Sequence, residues 1–209
     1  MKKLALWSVC GVALIAMTPV SAHVIDTAFG EFVGPLQVSD ASVAVRCPLT
    51  VGGSFEAKTK TLSGEIAPAA DESGAVGGTL TVELQTLETG IAMRDRHMKN
   101  NYLEVEKGPE FSTATIEDIR VEKLEGKTVF SAMLSLHGQK KKVTGAAELQ
   151  QKDGKIRVQA QFPVKVSEFE IPAPTYLGVG VRDEIQIKVS LLAVRTSGEA
   201  ATGTSGQKR

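Results

Sequence analysis

The chain has 209 residues with 24 basic and 24 acidic side chains, so its formal net charge is zero. With Lys140-Lys141-Lys142 as its single basic run, it lacks the concentrated basic face that nucleic-acid binding requires. The length is ample for one domain with its own core.

At the N-terminus, Lys2 and Lys3 precede an apolar run from Leu4 to Ala16. That run is shorter than the ~20 residues a helix needs to span a bilayer. Thr18 and Pro19 break it, and Val20-Ser21-Ala22 then supply the small residues after which a signal peptidase cuts. The expectation is a cleaved signal over residues 1–22, a periplasmic or secreted mature chain, and no stable transmembrane anchor. Cleavage after Ala22 leaves 187 residues, with 22 basic side chains against 24 acidic. Cys10 departs with the signal, so Cys47 has no partner for an intramolecular disulfide and reads as a small buried hydrophobe. Residues 23–41 read as an N-terminal extension or a first strand.

From residue 42 the dominant signal is period two, the mark of strands with one wet and one buried face. Short candidates cover Ser42–Arg46 and Ser54–Thr61, followed by an Ala-, Gly- and acid-rich loop over 68–78. Thr79–Leu87 then places Leu80, Val82 and Leu84 on one face. Thr89–Glu104 has no alternation. It pairs Asp95 with Lys99 and Met98 with Tyr102 at i,i+4 spacing, which predicts a short capping helix near 91–101. Further strands follow at Phe111–Val121, Thr128–Leu136, Val143–Gln150, Ile156–Val166 and Ile185–Leu191. Glu125-Gly126-Lys127, His137-Gly138-Gln139 and Lys152-Asp153-Gly154-Lys155 are short enough for hairpin turns and imply an antiparallel meander. About eight long strands predict an all-β, closed antiparallel barrel over 42–194, because closure removes exposed edges. The Gly-, Ser- and Thr-rich tail, 195–209, has no apolar periodicity and is expected to be disordered.

No constellation for catalysis stands out: there is no nucleophile-elbow serine, no phosphate-binding glycine loop and no pair of metal-spaced histidines. The chain is therefore expected not to be an enzyme, and neither a catalytic residue nor a cofactor is assigned. His137 in its hairpin turn reads as a solvated imidazole, and His97 as part of a polar helix face. His23 becomes the first residue of the mature chain, where amine and imidazole together can chelate copper. That leaves a periplasmic copper-binding protein as one alternative. A structural or interaction β-module, its barrel filled by side chains, is another. Eight strands enclose a space just wide enough for side chains or for one slim ligand, and periodicity alone does not choose between them.

Several ordered fragments carry a family resemblance. Phe55 with Leu62-Ser63-Gly64-Glu65-Ile66, and Thr89 through Arg94-Asp95-Arg96-His97-Met98, resemble motifs of the YceI-like family of lipid-binding proteins. So do Pro109 with Phe111–Ile116, Met133-Leu134-Ser135-Leu136-His137-Gly138-Gln139-Lys140-Lys141, Ser167-Glu168-Phe169-Glu170-Ile171, and Val181 to Leu191. Departures cluster at Leu103-Glu104-Val105, Gly108 and Glu170.

The resemblance implies a lipocalin-like barrel and an apolar isoprenoid-type partner, such as a polyisoprenoid or an isoprenoid quinone, held in a hydrophobic tunnel; it leaves homodimer formation open. It also implies a lining from Phe55, Leu80, Val82, Leu84, Phe111, Phe130, Leu134, Phe162, Ile187 and Val189. Met93, Met98, Tyr102 and Leu103 of the helix would turn toward the same space, with Arg94 and Asp95 paired to fix that segment.

Overall fold

The computed structural model describes residues 35–68, 75–176 and 179–195. The expected signal over 1–22, His23 and residues 196–209 of the expected tail lie outside the described residues; Arg195, counted in that tail, ends the last strand. Among the described residues no helix is long and apolar enough to cross a membrane.

The alternating residues form the expected strands, and residues 62–68, 175–176 and 179–180 add three that the sequence reading did not include. These are β1 (Leu36–Pro48), β2 (Ser54–Thr59), β3 (Leu62–Pro68), β4 (Ala75–Glu83), β5 (Thr113–Val121), β6 (Gly126–Leu136), β7 (Gln139–Lys152), β8 (Lys155–Lys165) and β11 (Glu184–Arg195), with a two-residue pair, β9 (Thr175–Tyr176) and β10 (Val179–Gly180), before the last. All pairing is antiparallel, from β11 through β8, β7, β6, β5, β4 and β3 to β1, which closes the ring on β11. β2 and β3 lie end to end along one side of β1, β2 against Val43–Pro48 and β3 against Leu36 and Gln37. They act as one stave interrupted at residues 60–61, so the closed barrel has eight staves.

Three boundaries differ from the sequence reading. The strand expected over Thr79–Leu87 ends at Glu83, and Leu84–Thr86 form a 3-10 turn. β1 starts at Leu36, within the segment whose role was ambiguous, because Leu36 is 1 % exposed and seals the barrel against Arg195 and Ile66. The loop expected over 68–78 is strand from Ala75 onward. Gly64 and Gly78 explain why the pattern there was silent. Each has positive φ, and a Cβ on either would lie 2.1 Å from the carbonyl oxygen of Thr79 or Glu65 respectively. β3 and β4 thus approach with bare backbone, and the strand carries no side-chain alternation at that point.

The two ends of the barrel are built differently. At one end β5–β6 and β7–β8 are joined by tight turns. At the other, long connections run from β4 to β5 and from β8 to β11. The first holds a 3-10 turn (Leu84–Thr86), helix α1 (Ala92–His97), a π-helical turn (Met98–Tyr102) and the one-turn helix α2 (Pro109–Ser112). Leu103 N–H donates to Met98 O at 2.9 Å to close the widened turn. The capping helix thus occupies 92–102, as its i,i+4 pairs predicted.

Candidate functional site

The barrel is hollow in the half that carries the long connections. There a cavity of about 660 Å³ is lined by the inward side chains of the strand ends, among them Val43, Val45 and Cys47 of β1, Leu80 and Val82 of β4, Leu134 and Leu136 of β6, and Ile185, Ile187 and Val189 of β11. Period-two alternation sends these residues inward from every stave except β7. The lining is mostly aliphatic, suited to a slim hydrocarbon rather than to a polar substrate.

Phe55, Leu80, Val82, Leu84, Met93, Met98, Tyr102, Leu103, Leu134, Phe162, Ile187 and Val189 all stand on the cavity wall. Phe111 and Phe130 do not. Phe111 was expected in a strand, but Pro109 at the first position of α2 starts a helical turn. Its ring meets His137 edge-on, centroids 4.8 Å apart, outside the cavity. Phe130 does face inward, but it lies below the cavity. Its ring packs edge-to-face on Phe162 at 5.7 Å and 88°. Gly145, the register partner of Phe130, makes this possible. A Cβ there would fall 2.6 Å from Phe162 Cβ and 2.9 Å from Phe130 Cε1. The two rings close over that glycine and form the floor. Below it the barrel is filled by Ile156, Leu191, Ala193 and Leu149, all buried. The cavity is therefore a blind pocket.

The open end is held by polar contacts. Asp95 Oδ1 accepts from the Thr89 backbone N–H at 2.8 Å and from its hydroxyl at 2.6 Å. Burial alone pushes the Asp95 carboxyl upward, but the Thr89 bonds, with Lys99 and Arg94 nearby, hold it below its ordinary value. Arg94 does not form the expected close pair with Asp95. Its guanidinium lies over the Phe55 ring, 4.4 Å from the centroid, because α1 turns it across the mouth toward β2. Thr59, Thr61 and Thr86 hydroxyls join one another within 3.0 Å and tie the break between β2 and β3 to the 3-10 turn.

His137 is the other correction. It is 8 % exposed rather than solvated. Its backbone sits at φ 51 in the β6–β7 turn, and the ring folds beneath the capping segment. Nδ1 lies 3.0 Å from Phe169 O, a carbonyl that can only accept, so Nδ1 carries the hydrogen. Nε2 faces Glu104 Oε2 at 3.3 Å without hydrogen-bond alignment. Glu104 Oε1 in turn pairs with Lys107 Nζ at 2.6 Å. His137 thus joins three connections at the open end. The short turn before Gly138 hid this, since such turns are usually wet.

Cys47 is half-buried on the wall, and burial pushes its thiol up to about 11, with Arg94 pulling weakly the other way. At neutral pH it is a protonated, unreactive wall group. Among the described residues no group of three histidine, cysteine or carboxylate side chains could hold a metal ion.

The profile of the YceI-like domain matches residues 26–193, most of the chain. The chain belongs to the YceI-like family. Two solved structures share the fold. One is a polyisoprenoid binding domain from Saccharophagus degradans implicated in plant cell wall breakdown, 16% identical with a TM-score of 0.60, covering 77% of this chain and 98% of that one. The other is BcnA of Burkholderia cenocepacia, 18% identical with a TM-score of 0.62, covering 74% of this chain and 96% of that one. Comparison with curated proteins by sequence finds no match. Within the YceI-like barrel, the hollow half and its polar rim are the features that a ligand would meet.

Proposed function

We propose that this YceI-like protein is an exported carrier or sequestering protein that holds an isoprenoid-type apolar amphiphile by burial, with no covalent step. The observation that carries the reading is the blind apolar cavity of about 660 Å³. A blind pocket walled by Val, Leu, Ile and Met offers few polar contacts, so affinity must come from apolar area. Each buried CH₂ contributes about 0.8 kcal/mol before the cost of association. At about 30 Å³ for a water-sized group, the space takes roughly twenty heavy atoms. A longer tail would emerge at the mouth. The fold shared with a polyisoprenoid binding domain supports the ligand class, and the signal-like pattern of residues 1–22 supports export.

The test is native mass spectrometry with organic extraction on protein purified from the cell envelope without detergent. The expected result is a stoichiometric hydrophobic adduct of several hundred daltons on a chain that begins at His23. A clean apo mass that stays unchanged after incubation with polyprenyl lipids overturns the carrier reading.

A further inference from the structure

One cation stands on the wall of this otherwise apolar cavity. Among the described residues that line it, Arg94 is the single permanently charged side chain, and neither an aspartate nor a glutamate lines it. A half-buried charge with no carboxylate in direct contact is costly, because it gives up part of its hydration without recovering it elsewhere. Such a group persists most readily where a ligand supplies the missing charge.

The surrounding chemistry narrows what that ligand carries. Asp95 follows Arg94 directly and feels its charge, but its Oδ1 is taken up by two Thr89 donors and the two side chains do not meet as an ion pair. Residues 92–99 carry Arg94, Arg96 and Lys99 against Asp95 alone, so the segment over the mouth is net positive. Phe55 supports one face of the guanidinium. A guanidinium stacked on a ring keeps its N–H edges free, and those edges match a carboxylate or phosphate in fork geometry. The Arg94 guanidinium makes neither a side-chain hydrogen bond nor an ion pair within 4.0 Å with any described residue; its contact is the Phe55 ring. His97 and Tyr102 stand on the same wall and present further polar groups at the mouth.

We propose that Arg94, supported on Phe55 at the cavity mouth, binds an anionic head group, phosphate or carboxylate, of the amphiphile whose tail fills the cavity. The assignment rests on the carrier reading above and sharpens it: acidic amphiphiles are preferred over neutral alcohols or quinones with the same tail. The tail sits among Leu80, Val82, Ile187 and Val189, and the head stops at the level of Arg94.

Three probes with one tail test this: farnesyl phosphate, farnesoic acid and farnesol, titrated into the delipidated mature protein by calorimetry. Hydrogen bonds to a charged group are strong enough that the two acids are expected to bind on the order of tenfold or more tighter than farnesol. Arg94→Gln is expected to bring that ratio to about one, and Arg94→Lys to restore part of it as a point charge. A stronger response to phosphate or to carboxylate identifies the head. Equal affinity of all three for the unmodified protein, or a ratio that survives in Arg94→Gln, overturns the assignment while leaving the carrier reading intact. If none of the three binds, and native mass spectrometry shows no adduct, the carrier reading falls and the head-group assignment falls with it.

Discussion

Along β11 the inward residues Ile185, Ile187 and Val189 face open space, whereas Leu191 and Ala193, next in the same alternation, are sealed in a filled core. β6 repeats the contrast, with Leu134 and Leu136 on the cavity and Phe130 in the floor below it. One set of strands thus builds two interiors, and the boundary is the Phe130–Phe162 pair over Gly145. The filled half ends in tight turns. The hollow half ends in long connections pinned by Thr89–Asp95, Arg94–Phe55 and His137–Phe169. Burial in the first half has no alternative use, so it serves stability. Apolar wall in the second half is left unsatisfied until a ligand covers it.

The division is broken most directly by matched truncations. Ile156 is 2 % exposed in the filled half, and Ile156→Ala is expected to cost about 3 kcal/mol through lost transfer energy and a new void. Ile187 already borders a void, so Ile187→Ala is expected to cost less than about 1 kcal/mol in the ligand-free protein, while weakening lipid retention. Urea unfolding of delipidated variants measures both. Equal losses at the two sites would mean that the cavity collapses in solution.

Enlarging side chains applies the opposite stress. Ala193 has 0 % exposure, and a phenylalanine there must displace packed neighbours, at a cost of about 2 kcal/mol. Ile187→Phe has room ahead of it. Its expected effect on stability is within about 0.5 kcal/mol of zero, with loss of ligand volume visible as weaker retention in native mass spectrometry. A strongly destabilised Ile187→Phe would place the packed boundary nearer the mouth than the floor pair puts it.

Much of this was legible from residues alone. Period two in Thr128–Leu136 or Ile156–Val166 marks strands because only that spacing puts Phe130, Ala132 and Leu134, or Ile156, Val158 and Ala160, on one face. The division into hollow and filled halves was not legible. Alternation records which way a side chain points, and both halves point inward. What separates them is the fit between residues distant in sequence, such as Phe130, Gly145 and Phe162. Two local motifs misled for a related reason. Phe111 continues an apolar alternation, yet Pro109 coils it into a helical turn. His137 sits in a two-residue turn, yet two distant connections, carrying Glu104 and Phe169, converge to bury it.

Cys47 offers a probe of the hollow half that needs no substitution. With its thiol near 11, the reactive thiolate is scarce at pH 8, and alkylation by iodoacetamide is expected on the order of a hundredfold slower than in urea-unfolded chain. Bound lipid should slow it further by covering the wall. Labelling as fast as in the unfolded chain would mean that Cys47 faces water and that the wall opens at β1.

The smallest effect is expected at the rim, where the contacts are exposed and screened. The Lys107 hydrogen bond lowers the Glu104 carboxyl from its ordinary value of 4.5, against a weaker upward push from burial and with smaller help from His137. Because the folded value lies below the unfolded one, this contribution to stability is complete above about pH 4.5 and disappears as the pH falls through the folded value. Glu104→Gln is therefore expected to flatten the acid limb of the stability profile slightly and to leave stability at neutral pH lower by a small amount. Thermal unfolding between pH 3 and pH 7 reads the difference. If the variant loses as much stability at pH 3 as at pH 7, the carboxylate charge contributes nothing and the rim is held by packing around His137 alone.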